Sequence, residues 1–190
     1  SDSDIEGYRS HSQAENRQFS GRFNFDLGND SNFLASVNIT DQPTSDDPGG
    51  INAAQAAADR RSARDRNVAY DSGEVINQKR VGFVYSTPVG SSGEFSARSY
   101  IVSRDFFTKL PLFPVGQAVD VQRSFAGGGI SYSHSGMLGN LPNRLIVGFD
   151  TDDQDDDRQR FVNDLGVIGA RIFDQNESFT ARGLFIQNEL

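Results

Sequence analysis

The stretch FSGRFNFDLGNDSNFLASVNIT, residues 19–40, alternates apolar and polar side chains on both sides of a turn. In its first half Phe23 and Phe25 are in step with each other and polar residues occupy the positions between them, which is the period-two pattern of a β-strand. The central GNDSN, residues 28–32, consists of residues that favour turns. The alternation resumes after the turn, with Val37 on the apolar side. The stretch therefore predicts an antiparallel β-hairpin.

Alternation of the same kind recurs along most of the chain and predicts about seven strands in all. The further strands are expected near residues 78–87, 94–104, 119–133, 144–150 and 178–190. Long polar connections are predicted near residues 41–77 and 151–178, and a medium one at 105–117. The alanine-rich residues 53–66 in the first long connection predict a short helix.

The order of short and long connections favours one architecture among three. In an up-and-down meander every second connection lies on the same rim, so here the short turns share one rim and the long loops the other. Transmembrane β-barrels have this asymmetry, and Arg22, Arg80 and Arg98 on the polar side suit their water-filled or plug-filled interior. The predicted fold class is all-β, an antiparallel up-and-down meander that forms part of a transmembrane β-barrel. A soluble or secreted β-sandwich binding module is the alternative, because alternation alone cannot separate a lipid-facing row from a protein core, and a small complete barrel is the third possibility.

Composition excludes several classes of function. The net charge of −8 argues against a nucleic-acid partner, because phosphate binding requires clustered Lys and Arg. The chain has no cysteine, so it has neither disulfides nor a thiol nucleophile. No nucleophile–base arrangement and no phosphate-binding loop is found, and the sequence predicts no enzyme and no cofactor. It also has no apolar run of about 18 residues, which a transmembrane helix needs.

Two clusters of charged residues are candidate sites. The longest predicted loop holds basic and aromatic side chains that are predicted to capture an anionic metal chelate, or to contact lipopolysaccharide phosphates: Arg60, Arg61, Arg64, Arg66 and Tyr70. The acidic run DTDDQDDD, residues 150–157, contains the weak candidates for a calcium site: Asp152, Asp153 and Asp155. This run lacks the glycine and the distal glutamate of an EF-hand loop. For both clusters the alternative is an ordinary solvated loop that binds no ligand.

Four segments resemble the barrel of TonB-dependent outer-membrane receptors. They are EGYRSHSQAENRQFSGRFNFDL (6–27), DPGGINAAQAAADRRSARDRNVAYDSGE (47–74), VGFDTDDQDDDRQRFVND (147–164) and SFTARGLFIQNEL (178–190). The resemblance spans nearly the whole chain in the order of the family, but it includes neither the plug domain nor the TonB box. It implies that residues 1–190 are a partial β-barrel domain, a middle segment of a siderophore-receptor-like protein in the outer membrane of a Gram-negative bacterium.

The resemblance also implies a function and partners. Such a receptor binds a scarce ligand such as a ferric siderophore and imports it with energy from the TonB system, which acts through the plug domain. The implied partners are a small-molecule metal chelate, outer-membrane lipid and lipopolysaccharide. The final strand would then pair with a strand that follows residue 190.

Overall fold

The computed structural model describes residues 1–190 and consists of one antiparallel sheet whose eight strands lie side by side in chain order. The strands are β1 (Asp2–Ile5), β2 (Ala14–Gly28), β3 (Ser31–Ser45), β4 (Gly73–Val89), β5 (Gly93–Leu110), β6 (Gly116–Leu138), β7 (Leu141–Asp164) and β8 (Val167–Glu189). Two short helices, α1 (Ala53–Ala58) and α2 (Asp65–Ala69), interrupt the connection between β3 and β4. Neither helix has the length and apolar character needed to cross a membrane.

The predicted all-β, up-and-down meander is confirmed, and the alternatives are wrong. A sandwich needs a second facing sheet, and the chain forms one sheet only. A small closed barrel needs its first and last strands to pair, whereas β1 and β8 lie at opposite edges of the sheet. The strand count of about seven was low by one, because the four residues of β1 carry too little alternation to be recognised.

The predicted loop at residues 151–178 is wrong. β7 continues without interruption to Asp164, a two-residue turn follows at 165–166, and β8 starts at Val167. The loop predicted at 105–117 likewise shrinks to residues 111–115. Aspartate is depleted in strands, which is why the acidic run indicated a loop. Its carboxylates are accommodated because they meet arginines on one face and water on the other, as described below.

The sheet has almost no protein core. Only 6 of 190 residues are buried, and Ala118 is the one with a hydrophobic side chain. Large apolar side chains such as Phe23, Ile101 and Leu184 remain 53%, 64% and 86% exposed. A soluble domain does not leave so many large apolar groups uncovered, so these side chains need a partner outside the sheet.

The register assigns every residue of β2 to β8 to one of two faces. One cross-strand row holds Phe23, Ala35, Phe83, Ser99, Gly128, Thr151 and Arg182, and we call its side of the sheet the apolar face. The next row holds Arg22, Ser36, Gly82, Tyr100, Gly127, Asp152 and Ala181, and its side is the polar face. The two faces differ in composition at the same height, so they face different surroundings.

An apolar belt crosses the apolar face near the rim of the short turns. On each strand it ends where the alternating apolar residues give way to polar ones. Its last members, from β2 to β8, are Phe19, Ile39, Val81, Ile101, Ala126, Phe149 and Leu184. Phe19 and Ile39 are register partners, but Leu184 belongs to the row of Phe25. The edge of the belt therefore descends toward the short turns from β2 to β8.

The slope of the belt gives the tilt of the strands. From the row of Phe19 to the row of Phe25 the edge moves by six residues, which is about 20 Å at ~3.3 Å per residue. The distance from β2 to β8 is six strand spacings, or about 29 Å. A level boundary would cut strands tilted by about 35° in this way, and strands of transmembrane barrels are tilted by about 35–45°.

Candidate functional site

A ladder of paired charges runs along the polar face. The Arg98 guanidinium lies 2.8 Å from Asp150, and the Tyr100 hydroxyl donates a hydrogen bond to Asp152. Arg80 stands over the Tyr100 ring at 5.6 Å from its centroid. These contacts join β4, β5 and β7 across β6, so the intervening strand must carry small side chains.

Two glycines of β6 make that approach possible. A Cβ atom at Gly127 would lie 2.1 Å from the Asp152 carboxylate and 2.5 Å from the Tyr100 hydroxyl. A Cβ atom at Gly129 would lie 2.0 Å from the Asp150 carboxylate. The glycine-rich segment at 126–131 thus leaves room for side chains of β5 and β7 to meet above the backbone of β6.

Arg123 and Asp156 form the best-shielded pair of the ladder. Arg123 donates from Nε and Nη2 to the two carboxylate oxygens at 2.7 and 2.5 Å, and Gln154 adds a bond of 3.2 Å. The Asp156 side chain is 4% exposed. The hydrogen bonds from Arg123 lower the pKa of Asp156 below its ordinary value, against the opposing effect of burial. The pair lies above the level of the apolar belt.

The apolar face becomes acidic above the belt. Asp105 and Asp157 share a row, and Asp120 lies in the next one. Burial raises the pKa of Asp120, and the charges of Asp105 and Asp157 raise it further. This part of the sheet belongs in water, because unpaired carboxylates are not accommodated in hydrocarbon.

The residues proposed for calcium do not converge. Asp152 is on the polar face with Tyr100, whereas Asp153 and Asp155 are on the apolar face. Thr180 donates to Asp153 at 2.7 Å. Successive residues of a strand point to opposite faces, so a run of aspartates that forms a strand cannot surround one ion. No group of three or more metal-ligating side chains is present.

The long connection at residues 46–72 folds into a compact unit that we call the loop clasp. Arg9 donates to the carbonyls of Gly49 and Ser62 at 2.7 and 2.9 Å, which ties the connection between β1 and β2 to the clasp. Asn163 at the end of β7 donates to the Tyr70 carbonyl at 2.9 Å. Asn67, Ser72 and Asn163 are at most 2% exposed, so three of the six buried residues are polar and lie in or against this unit.

The clasp gives different surroundings to the residues predicted to bind a ligand. Arg66 donates from Nε to the Pro111 carbonyl at 2.8 Å and stands over the Tyr70 ring at 4.5 Å. Arg61 stands over the ring of Tyr8 at 5.5 Å. Arg60 and Arg64 are exposed, and their side chains make no hydrogen bond or ion pair. The predicted cluster is thus divided between residues that hold the clasp together and residues that are free.

Three arginines of the polar face lack a carboxylate partner. Arg22, Arg80 and Arg104 have no carboxylate within ion-pair distance, unlike their neighbours Arg98 and Arg123. The alternation of the sequence indicated Arg22 and Arg80 as interior residues. Arg104 was missed because its strand was expected to end there, and only the register shows it beside Arg123.

These features define a tilted antiparallel sheet with one apolar and one charged face, and comparison with solved structures gives the same architecture. The fold is similar to that of the ferric citrate transporter FecA in its unliganded form, with a TM-score of 0.85 and 16% identity over 95% of this chain and 27% of that one. It is also similar to P. aeruginosa FpvA bound to heterologous pyoverdines, with a TM-score of 0.72 and 13% identity over 100% of this chain and 30% of that one.

The chain therefore has the fold of a barrel segment of TonB-dependent receptors, and the resemblance seen in the sequence is confirmed at this level. The chain spans less than a third of the length of these two proteins. Both are receptors or transporters rather than enzymes. No protein-family model matches the sequence, and comparison with curated proteins gives no match.

Proposed function

We propose that this chain is a wall segment of a TonB-dependent receptor in the outer membrane of a Gram-negative bacterium. The whole protein would bind a scarce ligand such as a ferric siderophore and import it. The observation that carries this proposal is the slope of the apolar belt, which corresponds to strands tilted by about 35° across a level hydrocarbon boundary. The similarity to FecA and FpvA supports the same architecture.

In this proposal the two faces have separate partners. The belt of the apolar face contacts membrane lipid, and the residues above it stand at the level of lipopolysaccharide. The polar face lines the interior, where a plug domain linked to the TonB system would meet the charged ladder. The short turns between β2 and β3, β4 and β5, and β6 and β7 would be periplasmic, because transmembrane barrels keep their short turns on that side.

Ligand capture is assigned to the free cations on the long-loop side and the polar face. Arg60 and Arg64 of the clasp are exposed, so they remain available for an anionic metal chelate. Arg66 and Tyr70 are proposed to act indirectly, because they fix the clasp that presents the other two. Arg61 is less available to a ligand, because its guanidinium stands over the ring of Tyr8.

The test is uptake by a strain that lacks the gene. Uptake of a panel of radiolabelled ferric chelates, other metal chelates, vitamins and sugars would be measured under iron limitation, in the deletion strain and in a strain lacking TonB. We expect both strains to lose uptake of the same chelate, and the intact gene to restore it in the first strain only. Unchanged uptake of every metal chelate, vitamin and sugar in the panel, or recovery of the polypeptide outside the envelope, would overturn the proposal.

The loop residues are tested in the same assay. Replacing Arg60 and Arg64 together by Gln should weaken uptake by raising the ligand concentration needed for half-maximal rate. Arg17→Gln is the matched control, because Arg17 is an exposed arginine already paired with Glu15 and Asp41. Equal rates in both variants would remove Arg60 and Arg64 from the site.

A further inference from the structure

Four side chains of the polar face line a small pocket over β5 and β6. They form two neighbouring cross-strand pairs, Arg104 with Arg123 and Phe106 with Val121, so they lie at the four corners of one patch of the sheet. The pocket has a volume of about 200 Å³. Cavities that enclose a whole small molecule measure roughly 300–1,000 Å³, so this pocket fits one group of a larger ligand.

Arg104 has no partner for its charge within the protein. It makes no hydrogen bond or ion pair, and its guanidinium stands over the Phe106 ring, 5.6 Å from the centroid. Its neighbours across the strands are Gln78 and Arg123, neither of which is an anion. The aromatic ring supports the guanidinium from one side, and its N–H groups remain available to an acceptor.

Arg123 adds one more free donor to the pocket. Its Nε and Nη2 donate to Asp156, whereas its Nη1 has no partner. Glu177, which follows Asp156 in the same cross-strand row, lies 3.6 Å from Arg158. Since Asp156 neutralises one of the two guanidiniums, the pocket retains a single positive charge.

The other carboxylates at this height lie on the opposite face. Asp105 and Asp157 belong to the apolar face, together with Gln122 of β6. Along this part of β6 the residues of the apolar face, Gln122 and Ser124, are exposed, and Arg123 between them is half-buried. The polar face is therefore the more sheltered side, and the charge left on it is positive.

We propose that this pocket binds a carboxylate group of the ligand that the proposed receptor imports. The inference rests on the proposed function and deepens it, because it assigns the ligand to metal chelates that carry a free carboxylate. A carboxylate is planar and accepts two parallel hydrogen bonds from one guanidinium, which Arg104 can donate. Nη1 of Arg123 supplies a further donor from the neighbouring strand.

Charge and shape favour a carboxylate over a phosphate. The single negative charge of a carboxylate matches the net charge of the pocket, whereas a phosphate monoester carries about −1.5 to −2. A phosphate also has a third oxygen that needs a donor. The remaining walls of the pocket, Phe106 and Val121, offer none.

The experiment uses the full polypeptide purified from envelopes and reconstituted in lipid nanodiscs. Three probes share one ring and differ in the group that it carries: para-fluorobenzoate, para-fluorophenylphosphonate and para-fluorobenzamide. Fluorine NMR line broadening measures the binding of each. We expect the benzoate to bind more tightly than the phosphonate, and at least about tenfold more tightly than the neutral amide, which is the factor that one charge-assisted hydrogen bond supplies.

Three variants test the residues of the pocket. Arg104→Gln should weaken benzoate binding by about tenfold or more. Lys79→Gln is the matched control, because it removes one positive charge from the adjacent cross-strand row on the opposite face. Asp156→Asn raises the net charge of the pocket and should shift the preference from the benzoate to the phosphonate. The heat-modifiable band shows whether each variant folds.

Equal binding of the benzoate and the amide, or unchanged benzoate binding by folded Arg104→Gln, would overturn the proposal. Absence of benzoate binding by the native protein would overturn it too, as expected if an acidic side chain of the plug domain filled the pocket. Failure of the transport proposal has a different signature, because no chelate would be taken up while the purified protein still bound the benzoate through Arg104.

Discussion

The two faces of this sheet share one backbone and, in the proposed receptor, contact different media. At the height of Phe23 the apolar face presents aromatic and aliphatic groups that are about half exposed. One residue further, the polar face presents Arg22, Arg98 and Asp150 at nearly the same height. In the proposed receptor, alternate residues of one strand therefore face hydrocarbon and the residues between them face water. The comparison shows that the fold does not depend on a protein core, and substitutions on the two faces should have unequal effects.

The largest difference is expected from a charge placed on either face of β2. Phe23→Arg sets a guanidinium in the middle of the belt and should cost the membrane-embedded protein about 2–4 kcal/mol of unfolding free energy. Asn24→Arg, on the next residue and the opposite face, should change that free energy by less than about 1 kcal/mol. Urea unfolding of the full polypeptide in lipid vesicles measures both. Equal losses in the two variants would contradict the assignment of the faces.

A smaller difference is expected within the polar face. Arg104 and Arg123 share one cross-strand row, but only Arg123 holds a carboxylate. Arg123→Gln should cost about 1.5–3 kcal/mol, because it leaves Asp156 shielded from water without its charged donor. Arg104→Gln should stay within about 0.5 kcal/mol of the native protein. The same unfolding assay at neutral pH distinguishes the two variants. Similar losses of unfolding free energy would mean that the carboxylate partner of Arg123 adds no stability.

The pH dependence of that pair sharpens the comparison further. The pKa of Asp156 is lowered in the folded state, mainly by its hydrogen bonds to Arg123, so the pair stabilises the fold above the ordinary carboxyl value of about 3.9. That stabilisation is lost as the pH falls through the lowered pKa. The gap between the native protein and Arg123→Gln should be constant from about pH 8 to 5 and shrink below about pH 4. A gap that closed near neutral pH would point to a histidine instead.

The smallest effect is expected at the loop clasp, where the change is local. Arg66→Gln removes the donor to the Pro111 carbonyl and should expose residues 111–115 to faster proteolysis and hydrogen exchange. Global unfolding should change by less than about 1 kcal/mol. Arg60→Gln, which breaks no hydrogen bond or ion pair, is the control and should leave both rates as they are. Equal proteolysis in the two variants would show that Arg66 does not fix the connection between β5 and β6.

The sequence predicted the strands that lie in the belt and failed above it. Phe23, Phe25 and Val37 alternate because one side of each strand meets an apolar medium, and such a contrast is visible in a single segment. In the upper part of β7 both faces are polar, so the alternation disappears and the aspartates indicate a loop. The strand persists there because Arg98 and Arg123, remote in sequence, neutralise Asp150 and Asp156. Long-range pairing of this kind cannot be recognised within one segment.

The candidate ligand residues were predicted only as a cluster in a loop. The sequence placed four arginines in one loop, Arg60, Arg61, Arg64 and Arg66. It could not show which of them would form hydrogen bonds within the protein. Arg66 is engaged by the carbonyl of Pro111, a contact made across 45 residues. The calcium hypothesis failed for a simpler reason, since it assumed a loop where successive side chains diverge.

In the proposed receptor, the length of the last hairpin affects access from outside the cell. β7 passes the edge of the belt at Phe149 and continues to Asp164, which at a tilt of about 35° places its end about 40 Å from the hydrocarbon. The turn exposes Leu165 by 62%, and Val167, the first residue of β8, is 69% exposed. In the proposed receptor this end of the hairpin therefore presents two apolar side chains far above the bilayer. Antibodies against residues 164–169 should label intact cells, because they can bind without approaching the lipid surface.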